Sequence, residues 1–191
     1  LTNGLAEFIA QEELGRADGF WWSPDGSQIA YVQADSNSIQ QYPIVHQGRA
    51  AVDLEQHRYP FPGGRNAQLR IGVVDVASAV TVWLGLPAEV DVYVPNISWR
   101  PDGMLTVQVL SRNQRRLQLV VADPSDGHQV ASLEETSEPW LNTGGDHYWL
   151  KDGSLVWPSE RSGFRHLYLY DSSLELVRQL TAGEWVVTEL L

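Results

Sequence analysis

Hydrophobic and polar positions alternate in short runs along most of the chain, as expected for antiparallel strands. Three of these runs follow an aromatic residue and a tight turn, in the segments Trp22-Ser23-Pro24-Asp25-Gly26, Trp99-Arg100-Pro101-Asp102-Gly103 and Trp149-Leu150-Lys151-Asp152-Gly153. Asp and Gly at these places favour hairpin turns. The apolar strands predicted after the turns cover 28–33, 104–110 and 154–158. The chain is therefore expected to consist of repeated hairpins.

A second apolar strand follows each hairpin and ends in an aspartate, and the spacing is 48 residues both from Asp75 to Asp123 and from Asp123 to Asp171. The third strands are predicted at 69–75, 117–123 and 166–171, and the fourth at 80–86, 129–133 and 177–181. Four short strands in a period of about 50 residues are typical of propeller blades. The predicted fold class is all-β, a partial β-propeller of four-stranded antiparallel blades. The repeated Trp22, Trp99 and Trp149 are expected to pack in the core.

Two segments depart from the repeat. The interval from Trp22 to Trp99 is 77 residues, which predicts an insertion at about 37–68 with a strand at 41–46 and a turn-rich stretch at 59–64. Apolar Leu5, Phe8 and Ile9 recur at helical spacing and predict a short helix within 4–15.

The predicted organisation is one propeller fragment. Its parts are a helix and adjacent motif at 1–18, blades at 19–88, 89–136 and 137–182, and the opening of a further blade at 183–191. A propeller left open at both ends has exposed blade edges, which we expect to pair with a second copy.

The composition narrows the possible partners. The formal net charge is −11, which argues against nucleic acid and anionic membranes. The absence of cysteine rules out a disulfide framework and a thiolate nucleophile but leaves the compartment open, whether cytoplasmic, periplasmic or secreted. No apolar run of 18 residues predicts a membrane span. Phosphate-binding and HExxH-type metal motifs are absent, so no cofactor and no metal are predicted.

The adjacent pair Glu12-Glu13 is the main candidate for chemistry. A general acid and base pair is disfavoured because adjacent helical side chains diverge by about 100°. A solvated helix end is one alternative. The other is a cation clamp, in which two carboxylates share the donors of a primary ammonium. A G-x-S-x-G nucleophile elbow does not occur, so no catalytic residue is expected in this segment, and the segment should be inactive alone.

The segments 11–16 and 19–26 together resemble the Glu-Glu motif region of dipeptidyl peptidase IV-like enzymes of the prolyl oligopeptidase superfamily. The spacing between the Glu pair and Trp21-Trp22 is closest to the dipeptidyl peptidase eight and nine branch and its bacterial relatives. Segments 59–66, 159–168 and 180–185 are also similar to family segments, in the family's order.

This resemblance implies an eight-bladed propeller that caps a C-terminal α/β-hydrolase domain of the same chain, where the catalytic Ser, Asp and His lie. The parent would be a serine-type dipeptidyl peptidase that releases X-Pro or X-Ala dipeptides. Glu12 and Glu13 would bind the α-ammonium of peptides with a free N-terminus. Arg16 would orient the glutamates or touch the substrate backbone, and a helix-end salt bridge is its plainer alternative. A bacterial origin is expected, and a parent homodimer is left open.

Two other functions compete with this one. A stand-alone propeller that serves as a protein-interaction scaffold explains the repeats equally well, but not Glu12-Glu13 at the family position. A propeller glycosidase ranks third, since it needs carboxylates from several blades around the central channel and no such set is recognisable.

Overall fold

The computed structural model describes residues 1–48, 51–86, 91–143 and 147–190. Nearly all of its regular structure is antiparallel β-sheet, in three successive sheets of four or five strands and one two-stranded sheet. This confirms the predicted all-β partial propeller with one short helix.

The first sheet, the short helix and a separate two-stranded hairpin occupy the chain up to residue 83. Their elements are β1 (Thr2–Asn3), α1 (Phe8–Glu13), β2 (Phe20–Trp22), β3 (Gln28–Asp35), β4 (Gln41–His46), β5 (Asp53–Arg58), β6 (Gln68–Asp75) and β7 (Thr81–Trp83). Strands β3, β6 and β7 pair in that order, and both β1 and β2 pair with β3. Strands β4 and β5 form a separate hairpin.

The second sheet contains β8 (Val92–Tyr93), β9 (Ile97–Trp99), β10 (Leu105–Ser111), β11 (Arg116–Ala122) and β12 (Gln129–Thr136). Its order is β12, β11, β10 and β8, and β9 also pairs with β10. The third sheet is a meander of β13 (Tyr148–Trp149), β14 (Leu155–Ser159), β15 (His166–Tyr170) and β16 (Leu176–Gln179). Each sheet is thus a blade whose strands follow chain order from one edge to the other.

The hydrophobic core lies between consecutive sheets. Ala30, Val32, Ile71 and Val73 of the first sheet join Val107 and its neighbours in the second. A second cluster joins Leu119 and Val121 of the second sheet to Leu155, Trp157 and Tyr168 of the third. At about 25 cal/mol per Å² of buried apolar area, these faces are the main source of stability of a stack of sheets. The Trp99 indole N–H also donates to the carbonyl oxygen of Trp21 at 3.1 Å, which ties β9 to β2.

The structure corrects one expectation, for Trp22, and adds a strand to the insertion. Trp22 is 54% exposed and belongs to neither of the clusters between the sheets, whereas Trp99 and Trp149 each pack in one of them. Trp21 packs against the core instead. The insertion has a second strand, β5, that was not predicted beside the predicted strand at 41–46. Residues 183–190 contain no strand, and the predicted blade boundary at 88 and 89 lies outside the described residues.

Among the described residues, no helix has the length and apolar character that crossing a membrane requires. The helix α1 has six residues.

Candidate functional site

The helix that contains Glu12 and Glu13 lies in the segment 4–19, which connects β1 to β2 and is called the excursion below. Strands β1 and β2 share one edge of β3, with Asn3 opposite Gln33 and Phe20 opposite Tyr31. The chain leaves this edge after β1 and rejoins it at β2. Both ends of the excursion are fixed at Val32, whose carbonyl oxygen accepts from the Gly4 N–H at 2.9 Å and whose N–H donates to the Gly19 carbonyl oxygen at 2.8 Å.

The two ends of the excursion cross at Gly19. A Cβ at this position would lie 2.6 Å from the main-chain N and C atoms of Leu5, which is closer than real Cβ contacts occur. The residue is also buried. Glycine is therefore required here because the backbones approach each other closely.

The helix is held at its start by an acidic N-cap. The Glu7 carboxylate accepts from the main-chain N–H of Ile9 at 2.6 Å and of Ala10 at 3.0 Å, which satisfies two of the free donors of the first turn. Burial raises the pKa of Glu7, while these two N–H groups and the charge of Arg16 act in the opposite direction. Ala10 is fully buried, so one face of the helix packs on the protein.

The insertion supports the helix from outside. The ring of Phe8 packs edge-on against Tyr59, with centroids 5.1 Å apart, and Tyr59 packs in the same way against Phe61 at 4.9 Å. The turn-rich stretch at 59–64 therefore has a role in positioning α1.

Glu12 and Glu13 are both exposed at the C-terminal end of α1. This end is the negative pole of the helix dipole, and the last turn contains no basic residue. Two carboxylates on a negative helix end form a place where a cation is favoured. Glu13 lines a groove of about 380 Å³ together with Tyr93, Gln114 and the segment 140–143.

Arg16 lies beyond the helix and is 9% exposed. Its Nη1 donates to the carbonyl oxygen of Asp18 at 2.8 Å, and its guanidinium carbon is 5.6 Å from the centre of the Trp21 ring. Burial lowers the pKa of Arg16, and the charge of Glu7 raises it in part. Its side-chain hydrogen bond goes to Asp18 rather than to Glu12 or Glu13.

Two further cavities adjoin the groove that Glu13 lines. The one next to Arg16 has a volume of about 260 Å³ and shares Leu14 and Thr143 with the Glu13 groove. A third, of about 350 Å³, shares Leu141, Asn142 and Thr143 with that groove. The segment 140–143 therefore joins all three. Sequence reasoning missed this segment, and the only signal was Trp140, a tryptophan outside the repeated motif and 59% exposed.

Other polar clusters have structural explanations. Ligand atoms of Asp123, Asp126 and His128 lie within 4.8 Å of one another. Asp123 caps the N–H of Ser125 and Asp126 caps that of His128, so turn formation accounts for this cluster.

A serine and a histidine also meet between the second and third sheets. The Ser98 hydroxyl is 3.2 Å from Nε2 of His147, whose Nδ1 is 3.3 Å from the amide nitrogen of Gln108. Both side chains are thus part of the hydrogen-bonded packing between the two sheets.

The whole chain matches the family model described as the dipeptidyl peptidase IV (DPP IV) N-terminal region, over residues 1–191. It is 26% identical to the inactive dipeptidyl peptidase 10 of Rattus norvegicus, over 99% of this chain and 26% of that protein. It is 29% identical to the venom dipeptidyl peptidase 4 of Apis mellifera, over 73% of this chain and 20% of that protein.

Among solved structures, Porphyromonas gingivalis dipeptidyl peptidase 4 is similar, with a TM-score of 0.87, 25% identity, and coverage of 98% of this chain and 27% of that one. The chain thus spans about a quarter of the length of these relatives.

Proposed function

Because this chain belongs to the dipeptidyl peptidase IV N-terminal region family, we propose that it is the substrate-binding and gating propeller portion of a serine exopeptidase. The parent protein releases X-Pro or X-Ala dipeptides from peptides that have a free N-terminus. Its catalytic Ser, Asp and His belong to a C-terminal α/β-hydrolase domain of the same chain. The names of the relatives support a peptidase, and their greater length supports a further domain.

Glu12 and Glu13 are the proposed anchor for the α-ammonium of the peptide. The observation that carries this role is their exposure at the negative end of a helix whose flanking residues, Gly4 and Gly19, are both hydrogen-bonded to Val32. A primary ammonium has three donors and two carboxylates accept them in charge-assisted bonds, which are about twice as strong as neutral ones. A rigid anchor also holds the second residue of the peptide at a constant distance, which favours release of dipeptides.

The test uses the full-length protein that contains this region. Release of p-nitroaniline from Ala-Pro-p-nitroanilide is measured with a free and with an acetylated N-terminus, for the wild type, Glu12→Gln and Glu13→Gln. We expect acetylation and each substitution to lower kcat/KM by on the order of 100-fold, because charge-assisted bonds contribute roughly 1.5–3 kcal/mol each. Glu175→Gln is the matched control, since Glu175 is exposed in the turn between β15 and β16, and it lines none of the cavities described above. Equal cleavage of the acetylated substrate would rule out the anchor.

The second candidate is a propeller scaffold without catalysis. One relative is named an inactive dipeptidyl peptidase, which supports a function without catalysis as the alternative. A full-length protein that lacks a G-x-S-x-G motif after this region, and that releases no p-nitroaniline from the free Ala-Pro substrate, would establish the scaffold instead.

A further inference from the structure

The Arg16 side chain is buried, and its guanidinium has more hydrogen-bond donors than the described residues supply acceptors. About nine-tenths of the residue is removed from solvent. Its Nη1 donates to Asp18, but Nε and Nη2 have no hydrogen-bond partner in the part of the chain that the structure describes. Buried charged groups are normally fully hydrogen-bonded, because a buried donor without an acceptor destabilises the fold. Two donors of Arg16 are therefore left without an acceptor among the described residues.

The nearest acid does not fill this role. The Glu7 oxygens accept from the main-chain N–H groups of Ile9 and Ala10, and neither Nε nor Nη2 of Arg16 is hydrogen-bonded to them, so Glu7 acts on Arg16 through its charge. The guanidinium carbon of Arg16 lies over the Trp21 ring, 5.6 Å from its centre, and this contact supplies no oxygen acceptor to Nε or Nη2. The edge that carries Nε and Nη2 is the side-on fork of an arginine, which matches the two oxygens of a carboxylate.

Arg16 lines a cavity of about 260 Å³, with Leu14, Trp21, Asn96 and Thr143 on its other walls. Leu14 and Thr143 also line the groove that contains Glu13. The cavity and the groove are therefore adjacent, and a ligand whose ammonium binds at the groove can extend a side chain toward Arg16.

We infer that this cavity receives the side-chain carboxylate of the first residue of a peptide, so that substrates beginning with Asp or Glu are preferred. This inference rests on the proposed function, since Glu12 and Glu13 must hold the ammonium of the same residue. An acidic side chain near two glutamates would otherwise be repelled. The Arg16 fork supplies the compensating charge together with two parallel hydrogen bonds.

The experiment compares Glu-Pro-, Gln-Pro- and Ala-Pro-p-nitroanilide on the full-length protein. Glu and Gln have nearly the same size and differ in charge. For the wild type we expect kcat/KM for Glu-Pro to exceed that for Gln-Pro by on the order of tenfold, because a charged bidentate pair replaces a neutral contact. In Arg16→Gln this ratio should fall below one. In Arg16→Lys, which keeps the charge without the fork, it should take an intermediate value.

The matched control is Arg115→Gln, because Arg115 is an exposed arginine that lines none of the three cavities. Its Glu-Pro to Gln-Pro ratio should equal that of the wild type. The wild-type ratio needs no substitution, so a value near or below one overturns the carboxylate site even where Arg16→Gln fails to fold. A high ratio is assigned to Arg16 by Arg16→Gln or by the more conservative Arg16→Lys.

The outcomes separate the two hypotheses. Ammonium-dependent cleavage of Ala-Pro with a Glu-Pro to Gln-Pro ratio near or below one would overturn the carboxylate site and leave the proposed function in place. An Ala-Pro substrate that is not cleaved, or is cleaved equally well when acetylated, would overturn the proposed function itself. A high ratio in the wild type that Arg16→Gln does not change would assign the acid preference to another residue.

Discussion

Glu135 is the residue whose replacement tests most directly how the blades are joined. It lies on β12 of the second sheet, and its side chain is 9% exposed. The carboxylate accepts from the Trp157 indole N–H at 3.1 Å and from the Ser159 hydroxyl at 3.1 Å, and it forms an ion pair with Arg161. All three partners belong to the third sheet or to the turn after β14. The side chain therefore links two blades through a buried acceptor.

In Glu135→Ala the donors on Trp157 and Ser159 lose their acceptor, and Arg161 loses its counter-charge. Breaking a buried ion pair costs about 3–5 kcal/mol. The Arg161 side chain is 32% exposed and can turn to water, so we expect a loss near the lower limit, about 3 kcal/mol. Arg161 also lies over the ring of Tyr168 at 4.5 Å, and this contact should remain.

Glu134→Ala is the matched control, one residue earlier on the same strand. Glu134 is exposed and pairs with Arg116 across the sheet surface at 2.9 Å. Exposed pairs contribute about 0–1 kcal/mol, so this variant should lose less than about 1 kcal/mol.

The assay is urea unfolding followed by tryptophan fluorescence and circular dichroism, with coincident transitions as the check on two-state behaviour. Equal losses for the two variants, or a loss below about 1 kcal/mol for Glu135→Ala, would refute the argument. A double-mutant cycle with Arg161→Ala should give a coupling of about 1–3 kcal/mol between positions 135 and 161.

Three further predictions follow from single contacts. Gly19→Ala should cost about 1–3 kcal/mol by urea unfolding, since its Cβ meets the Leu5 backbone at 2.6 Å, whereas Gly85→Ala, with only one atom at 3.8 Å, should change stability by less than about 0.5 kcal/mol. Hydrogen bonds from Ser23 and Ser27 lower the pKa of Asp25 to about 2, so its stabilising effect is complete above pH 3.8 and is lost as the pH falls through 2. The difference in urea midpoint between wild type and Asp25→Asn should therefore shrink over that range, and a constant difference would contradict the assignment. His166→Phe removes the hydrogen bonds of the buried ring with the Thr181 hydroxyl and the Gly183 carbonyl oxygen, so we expect the free energy of unfolding to fall by about 2 kcal/mol. A much smaller loss in thermal unfolding would show that these hydrogen bonds contribute little.

The repeat could be read from the sequence because each blade is a local unit. A strand, an Asp-Gly turn and a second strand are neighbours in the chain, so alternation and turn residues specify them without knowledge of the rest. The three sheets, the helix around Phe8 and the strand at 41–46 were predictable for this reason.

Burial within a repeated position was less predictable. Trp22 and Trp149 occupy equivalent places in their turns, yet Trp22 is 54% exposed and Trp149 is 8% exposed. The sequence marks the position, but burial depends on whether another sheet lies against that face. Likewise β5 has few apolar residues, so its strand is stabilised by pairing with β4 and leaves little hydrophobic pattern to detect.

The sequence by itself determined the class of fold, the repeat and the adjacent carboxylates Glu12 and Glu13, because each is encoded over a few neighbouring residues. Only the tertiary structure decided that Gly4 and Gly19 meet at Val32, and that the segment 140–143 reaches the Glu13 groove. It also decided that Arg16 is buried with two nitrogens unpaired among the described residues. Glu13 and Thr143, which line the same groove, are 130 positions apart. Their energy depends on the packing of separate sheets, which no local pattern of residues specifies.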